Sequence, residues 1–259
     1  MGGMDRKDGL IVGRAAVLAL VVMLVAVATE GASRDEQAKR AFRQLQLGYV
    51  ALDAEDYSAA VEHYSAAREL AVGDEQRFNA SFGLGTAAME MNDLEAAREA
   101  FEEAHALRPG EAGATLLLGT TCRRQGELDT AVKYLAEAAA RDPELTQALV
   151  ELGIAFGAQE RHDDAERVCR EASEREPDNV EARLGLAVAL YHLDRYDEAV
   201  VEFRIVLELD PDSVRAHFGL GLALVFAGDR RAAMDELAFL NQNAPELADE
   251  LFGYIYPEG

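Results

Sequence analysis

Residues 180–213, VEARLGLAVALYHLDRYDEAVVEFRIVLELDPDS, contain two runs of apolar residues separated by Asp194 and closed by Pro211. In each run the apolar side chains recur at steps of three and four, the signature of an amphipathic helix. The proline that ends the stretch belongs to a ladder. Pro109, Pro143, Pro177, Pro211 and Pro245 follow one another at intervals of 34 residues, and the only other proline is Pro257. A fixed period of this length marks a solenoid, whose unit is one helical hairpin that cannot bury its apolar face alone.

The columns between the prolines fix the units. One alanine aligns them, Ala60, Ala97, Ala131, Ala165, Ala199 and Ala233, with a first interval of 37 and four of 34, so the first unit carries three extra residues around Gly73 to Arg77. Twelve residues earlier stands Gly48, Gly85, Gly119, Gly153, Ala187 or Gly221, each preceded by a leucine. Four residues after the alanine come Tyr64, Phe101, Leu135, Cys169, Phe203 and Leu237. The small residues let the two helices of a unit approach closely, and the leucine and the large side chain fill the space toward the next unit. Asn92, Gly126 and Gly228 fall where a first helix should end in the left-handed conformation. Each proline follows a second helix that it cannot continue.

This pattern resembles the tetratricopeptide repeat (TPR). Residues 180–213 carry it in Leu186, Ala187, Tyr196, Ala199, Phe203 and Pro211, and the wording DRYDEAV and LELDP is similar to that of the family. The resemblance implies an all-α fold, a right-handed superhelical solenoid of antiparallel helix pairs. Its six units are 41–77, 78–111, 112–145, 146–179, 180–213 and 214–247, about four fifths of the chain. Three departures are visible: most units lack the family's bulky residue at the fourth position, Val72 replaces the first proline, and Arg230 stands where Tyr57 and Tyr196 stand elsewhere. Residues 248–259 follow as a capping helix and tail. Leu251, Tyr254 and Ile255 would cover the last unit, or Phe252, Ile255 and Tyr256 would form a patch for self-association.

Ahead of the repeats, residues 1–28 carry Arg6, Lys7 and Arg14 and then Ala15 to Ala28 without a polar side chain. Small residues at Ala26 and Ala28 fit a secretory signal peptide cut after Ala28. Counted from Leu10, the run is also close to the ~20 residues of a membrane-spanning helix. Either reading, cleaved or anchored, carries the C-terminal part out of the cytoplasm. No cysteine precedes Cys122 to take a lipid, and no twin-arginine pair precedes the run. Residues 29–40 form a short polar linker and the start of the first helix, for which Ser33 and Glu36 have the spacing of a capping box.

The chain has 25 Lys and Arg against 48 Asp and Glu, a net charge of −23. Such a balance speaks against nucleic acid as a partner and against broad contact with an anionic membrane surface, leaving the N-terminal segment as the membrane link. No catalytic, cofactor or metal constellation emerges. His63, His105, His162, His192 and His217 lie in separate units without recurrent ligand spacing. Cys122 and Cys169 sit at core positions, with a disulfide between them left open. The glycines of FGLG (Phe82 to Gly85) serve helix packing instead of phosphate binding. An enzyme is not expected, nor a cofactor.

By resemblance, the partner surface is the concave face lined by the first helices, at the second, fifth, ninth, twelfth and thirteenth positions. The last three units give Val150, Ile154, Leu184, Val188, Tyr191, Phe218, Leu222, Val225 and Phe226, an apolar lining, with Arg123 and Arg124 of the third unit available for an acidic group. The fifth position reads Leu45, Phe82, Leu116, Val150, Leu184 and Phe218, so the family's carboxylate clamp is missing. Fifth-position residues also suit the seam between first helices, which makes Tyr191, Val225 and Phe226 the stronger candidates. The expected partner is a protein offering an amphipathic helix or an extended apolar segment. Three roles fit: a scaffold of the cell envelope, a self-assembling structural protein (a homo-oligomer), or an accessory subunit of an envelope enzyme.

Overall fold

The computed structural model describes residue 31 and residues 33–257, which contain helices and turns and no strand. The thirteen helices among them are α1 (33–53), α2 (Tyr57–Leu70), α3 (Asp74–Glu90), α4 (Leu94–Leu107), α5 (Ala112–Arg124), α6 (Leu128–Arg141), α7 (Thr146–Ala158), α8 (His162–Arg175), α9 (Val180–His192), α10 (Tyr196–Leu209), α11 (Val214–Phe226), α12 (Arg230–Asn243) and α13 (Pro245–Ile255). They fall into two compact units, one through Arg108 and one from Pro109. Each is a stack of antiparallel helix pairs, so the expected all-α class holds. The N-terminal stretch through Ala28 lies outside the described residues, and among the described residues no helix is long and apolar enough to cross a membrane.

Turn chemistry enforces the pairing. Every turn from a first to a second helix passes through a left-handed residue: Glu55, Asn92, Gly126, Glu160, Asp194 and Gly228, with φ between 58° and 91°. Asp56, Asp93 and Asp229 then cap the second helix by accepting the backbone N–H three residues on, at 3.0–3.2 Å, satisfying a donor that the helix leaves orphaned. Pro109, Pro143, Pro177 and Pro211 lie in the turns between pairs, whereas Pro245 is the first residue of α13. Ser33 is already helical, as is Gly31, so the helix does not open at the expected capping box.

The core is a column of wedges. A methyl group added at Gly85 would lie 2.7 Å from the Phe101 ring, and one at Gly219 only 2.4 Å from Phe203. Each large side chain of a second helix thus enters a notch that only glycine leaves open. Cys169 takes this place in its repeat, its Sγ 2.3 Å from where a Gly153 Cβ would sit. Both cysteines are buried and no disulfide joins them, and burial pushes the Cys169 thiol up to about 12.

In the last pair the column changes. The notch at Gly221 is filled by Leu251 of α13, while Leu237, the aligned side chain of α12, is only half-buried. Leu251 and Ile255 are buried as a cap requires, but Tyr254 is exposed, because its ring lies along the edge against Phe226, with centroids 5.9 Å apart.

Candidate functional site

Within the second unit the first helices α7, α9 and α11 line a groove. Two adjoining cavities of about 280 and 400 Å³ open there, sharing Leu184, Val188, His192 and Arg215. The smaller adds Ile154, Gly157 and His162; the larger adds Tyr191, Phe218, Leu222 and Leu247. Small residues keep the hollow open, since Gly157 and Ala158 bring little side chain to it, while the notches at Gly153, Gly185 and Gly219 are taken up by Cys169 and by Phe203, which reaches the floor of the larger cavity. Val188 is 39% exposed, an apolar side chain held at the surface without cover.

Six of the residues singled out from sequence therefore meet in one place: Ile154, Leu184, Val188, Tyr191, Phe218 and Leu222. Others do not. Val150 is 1% exposed and Leu184 only 3%, because fifth positions are absorbed into the seam between neighbouring first helices, and Val150 reaches neither cavity. Val225 and Phe226 line neither cavity. Phe226 instead belongs to an aromatic edge, stacked on Tyr196 at 5.3 Å and meeting Tyr191 and Tyr254 at 5.9 Å. The Tyr196 hydroxyl donates to the Asp194 carboxylate, and this bond, with partial desolvation, holds its pKa up at about 12.

Arg123 is not available to a ligand. Its Nε donates to Glu151 of α7 at 2.8 Å, and both side chains are largely covered, so the pair is a strut between α5 and α7 whose loss would leave a buried charge. Arg124 stands exposed at the end of α5.

Three features of the site were not foreseen. Arg215, exposed at the start of α11, stands over both cavities and has no ion-pair partner among the described residues. It occupies the second position of its unit, one of the positions that the resemblance assigns to the concave face, one turn before Gly219. His162 and His192 stack at 4.4 Å with planes 9° apart. The same register, second-helix start to next first-helix end, gives Tyr196 and Phe226, a 30-residue spacing that was legible in the sequence. In the first unit a separate cavity of about 680 Å³ is lined by Phe42, Leu45, Tyr49 and Val50 of α1 with Gln76 and Asn79 of α3. Among the described residues no three His, Cys, Asp or Glu side chains converge as metal ligands would.

The histidine pair has a pH consequence. Burial, and then the neighbouring His162, lower the His192 pKa from its ordinary 6.5, with Glu160 opposing. A depressed imidazole is neutral in both folded and unfolded chains above 6.5, and its contribution is lost as pH falls through the lower, folded pKa, because the unfolded chain then binds more protons. A proton NMR titration should find the His192 midpoint below 6.5, and His162→Asn should move it upward. A midpoint unmoved by that substitution would show that the stacked ring is irrelevant.

Family models for the tetratricopeptide repeat match residues 45–89, 82–145 and 150–204, and another TPR model matches 189–226. No curated protein matches the chain in sequence. Among solved structures, the chain is similar to PilF of Pseudomonas aeruginosa, with 19% identity, 85% of this chain and 99% of that one covered, and a TM-score of 0.71. A tetratricopeptide repeat protein of Parabacteroides merdae gives 19% identity over 84% and 86%, with a TM-score of 0.70. YrrB, described as a TPR protein with an unusual peptide-binding site, gives 22% identity over 74% and 98%, with a TM-score of 0.60. At these identities the likeness concerns the fold.

Proposed function

Because the chain belongs to the tetratricopeptide repeat family, we propose that it is a non-catalytic protein-binding scaffold which captures an apolar peptide or helix segment along α7, α9 and α11. The observation that carries this reading is the groove itself: two adjoining hollows with Val188 uncovered between them. A stripe of this kind on first helices, spaced by successive repeats, suits the i, i+3, i+4 and i+7 anchors of an amphipathic helix or the alternate side chains of an extended segment. The peptide-binding site named for YrrB supports such a use of the fold. The net charge of −23 favours a protein partner over nucleic acid.

The scaffold is placed in the cell envelope by its N-terminal sequence alone, with no membrane contact beyond that segment. A mature chain beginning at Thr29 would mark a released protein and an intact one an anchored protein; a chain retained in the cytoplasm would remove the envelope reading.

Site-specific photocrosslinking in intact cells tests the binding face. Benzoylphenylalanine at position 188 should trap a discrete partner, and the same probe at position 201, on the exposed side of α10, should not. Identical products from the two positions, or none from position 188, would refute the groove as the binding surface.

A further inference from the structure

Stacking between repeats follows fixed columns. In α3, α7, α9 and α11, each packed against the second helix before it, the leucine column (Leu84, Leu152, Leu186, Leu220) is at most 6% exposed and the column three residues on (Ala87, Ala155, Ala189, Ala223) at most 2%. The counterparts in α1 are Leu47 and Val50, exposed by 38% and 63%, with Phe42 at 56% beside them. The helix that opens the array thus presents a repeat-stacking face with apolar residues on it, where a terminal repeat needs a polar outer surface. At the other end of the chain, Met234 of α12 and Phe252 and Tyr256 of α13 are 41%, 51% and 49% exposed. They form one patch: the Phe252 and Tyr256 rings lie 4.7 Å apart and the Tyr256 hydroxyl reaches Met234 Sδ at 3.3 Å.

The two faces differ in charge. In a chain of net charge −23, α1 carries Arg34, Lys39, Arg40 and Arg43 against Asp35, Glu36 and Asp53, a balance of +1, whereas α13 carries Glu246, Asp249 and Glu250 and no basic residue. Lys39 and Arg40 are paired within the helix. Arg43 has no ion-pair partner among the described residues and stands where later units have a fully buried alanine (Ala80, Ala148, Ala182, Ala216). We propose that the occupant of the bare α1 face is a second copy of this chain, docked through the Met234, Phe252 and Tyr256 patch, with Arg43 meeting the carboxylates of α13. The contact extends the stacking columns that already join repeats within the chain. It uses different surfaces on the two copies, so association continues beyond a dimer. It is independent of the groove on α7, α9 and α11.

The test uses the full chain, expressed as two differently tagged copies, with benzoylphenylalanine replacing Phe252. Irradiation should give products containing both tags, with the attachment mapped to residues 39–50 of the other copy. Arg43→Glu should lower their yield about tenfold, and adding Asp249→Lys and Glu250→Lys should restore it to within about twofold, as expected of a complementary charge pair at an interface. Circular dichroism controls for folding, and the rescue separates lost contact from lost structure. Absence of copy-to-copy products, attachment to the groove or to another protein, or a charge reversal without effect or without rescue would overturn the proposal.

Discussion

Replacing Phe203 by alanine should destabilise the second unit by about 3–4 kcal/mol, the range for deleting a fully buried phenylalanine whose cavity collapses only in part. Phe203 is 1% exposed, and its ring fills the notch that Gly219 leaves in α11 while also reaching the groove floor. It therefore serves the pairing of α10 with the next first helix, and in a solenoid such interface contributions are what make neighbouring repeats melt together. A fall in Tm of roughly 10 °C follows for a cooperative unit of this size. Leu237→Ala supplies the internal control. It occupies the same column but is only half-buried, because Leu251 takes the notch at Gly221, so it should cost about 1 kcal/mol, less than a full core truncation. Leu251→Ala should instead fall in the range of about 2–5 kcal/mol. Should chemical denaturation rank Leu237→Ala alongside Phe203→Ala, the cap would not be filling that notch.

The same column shows why the sequence was informative about the fold and less so about the site. Gly85 with Phe101 and Gly153 with Cys169 are packing pairs, and because every repeat must solve the same packing problem the solution recurs and can be read by alignment. Left-handed turn residues recur too, but only Asn92, Gly126 and Gly228 advertise it by residue type. Glu55 and Glu160 adopt the same conformation with no chemical signal except their register, and Asp194 with only the modest one that aspartate tolerates it. The groove is legible in part, since position within a first helix gives Ile154, Val188 and Leu222. What the pattern cannot convey is how each side chain is engaged across repeats. Arg123 reads as a free cation until Glu151 is found 2.8 Å away, and Phe226 reads as groove lining until its ring is found against Tyr196. Arg215 stands at a concave second position, but its residue type does not recur there, and the His162–His192 stack shares its 30-residue register with Tyr196 and Phe226, which gives the spacing and not the contact.

The groove can be separated from the core by a second substitution of large effect. Val188 and Val201 lie on adjacent helices α9 and α10, are 39% and 55% exposed, and differ chiefly in the face they occupy. An aspartate at either position remains hydrated in the free protein, so neither Val188→Asp nor Val201→Asp should shift Tm by more than about 2 °C, within the ordinary range for surface substitutions. Partner binding distinguishes them. A segment seated over Val188 would bury the new carboxylate among Leu184, Phe218 and Leu222, where Arg215 offsets only part of its desolvation, a net cost of about 1–2 kcal/mol, which corresponds to roughly a 5- to 30-fold loss of affinity. Val201→Asp should leave affinity within about twofold, as for residues outside an interface. Arg215 refines the comparison. If the bound segment carries an acidic group toward Arg215, Arg215→Glu weakens binding with a strong dependence on salt, because an exposed charge acts over the screening length, whereas the Val188→Asp loss persists at high salt because it arises from desolvation. Calorimetric titration of the trapped partner's segment at two ionic strengths reads both effects. Equal losses from Val188→Asp and Val201→Asp would place the partner elsewhere on the molecule.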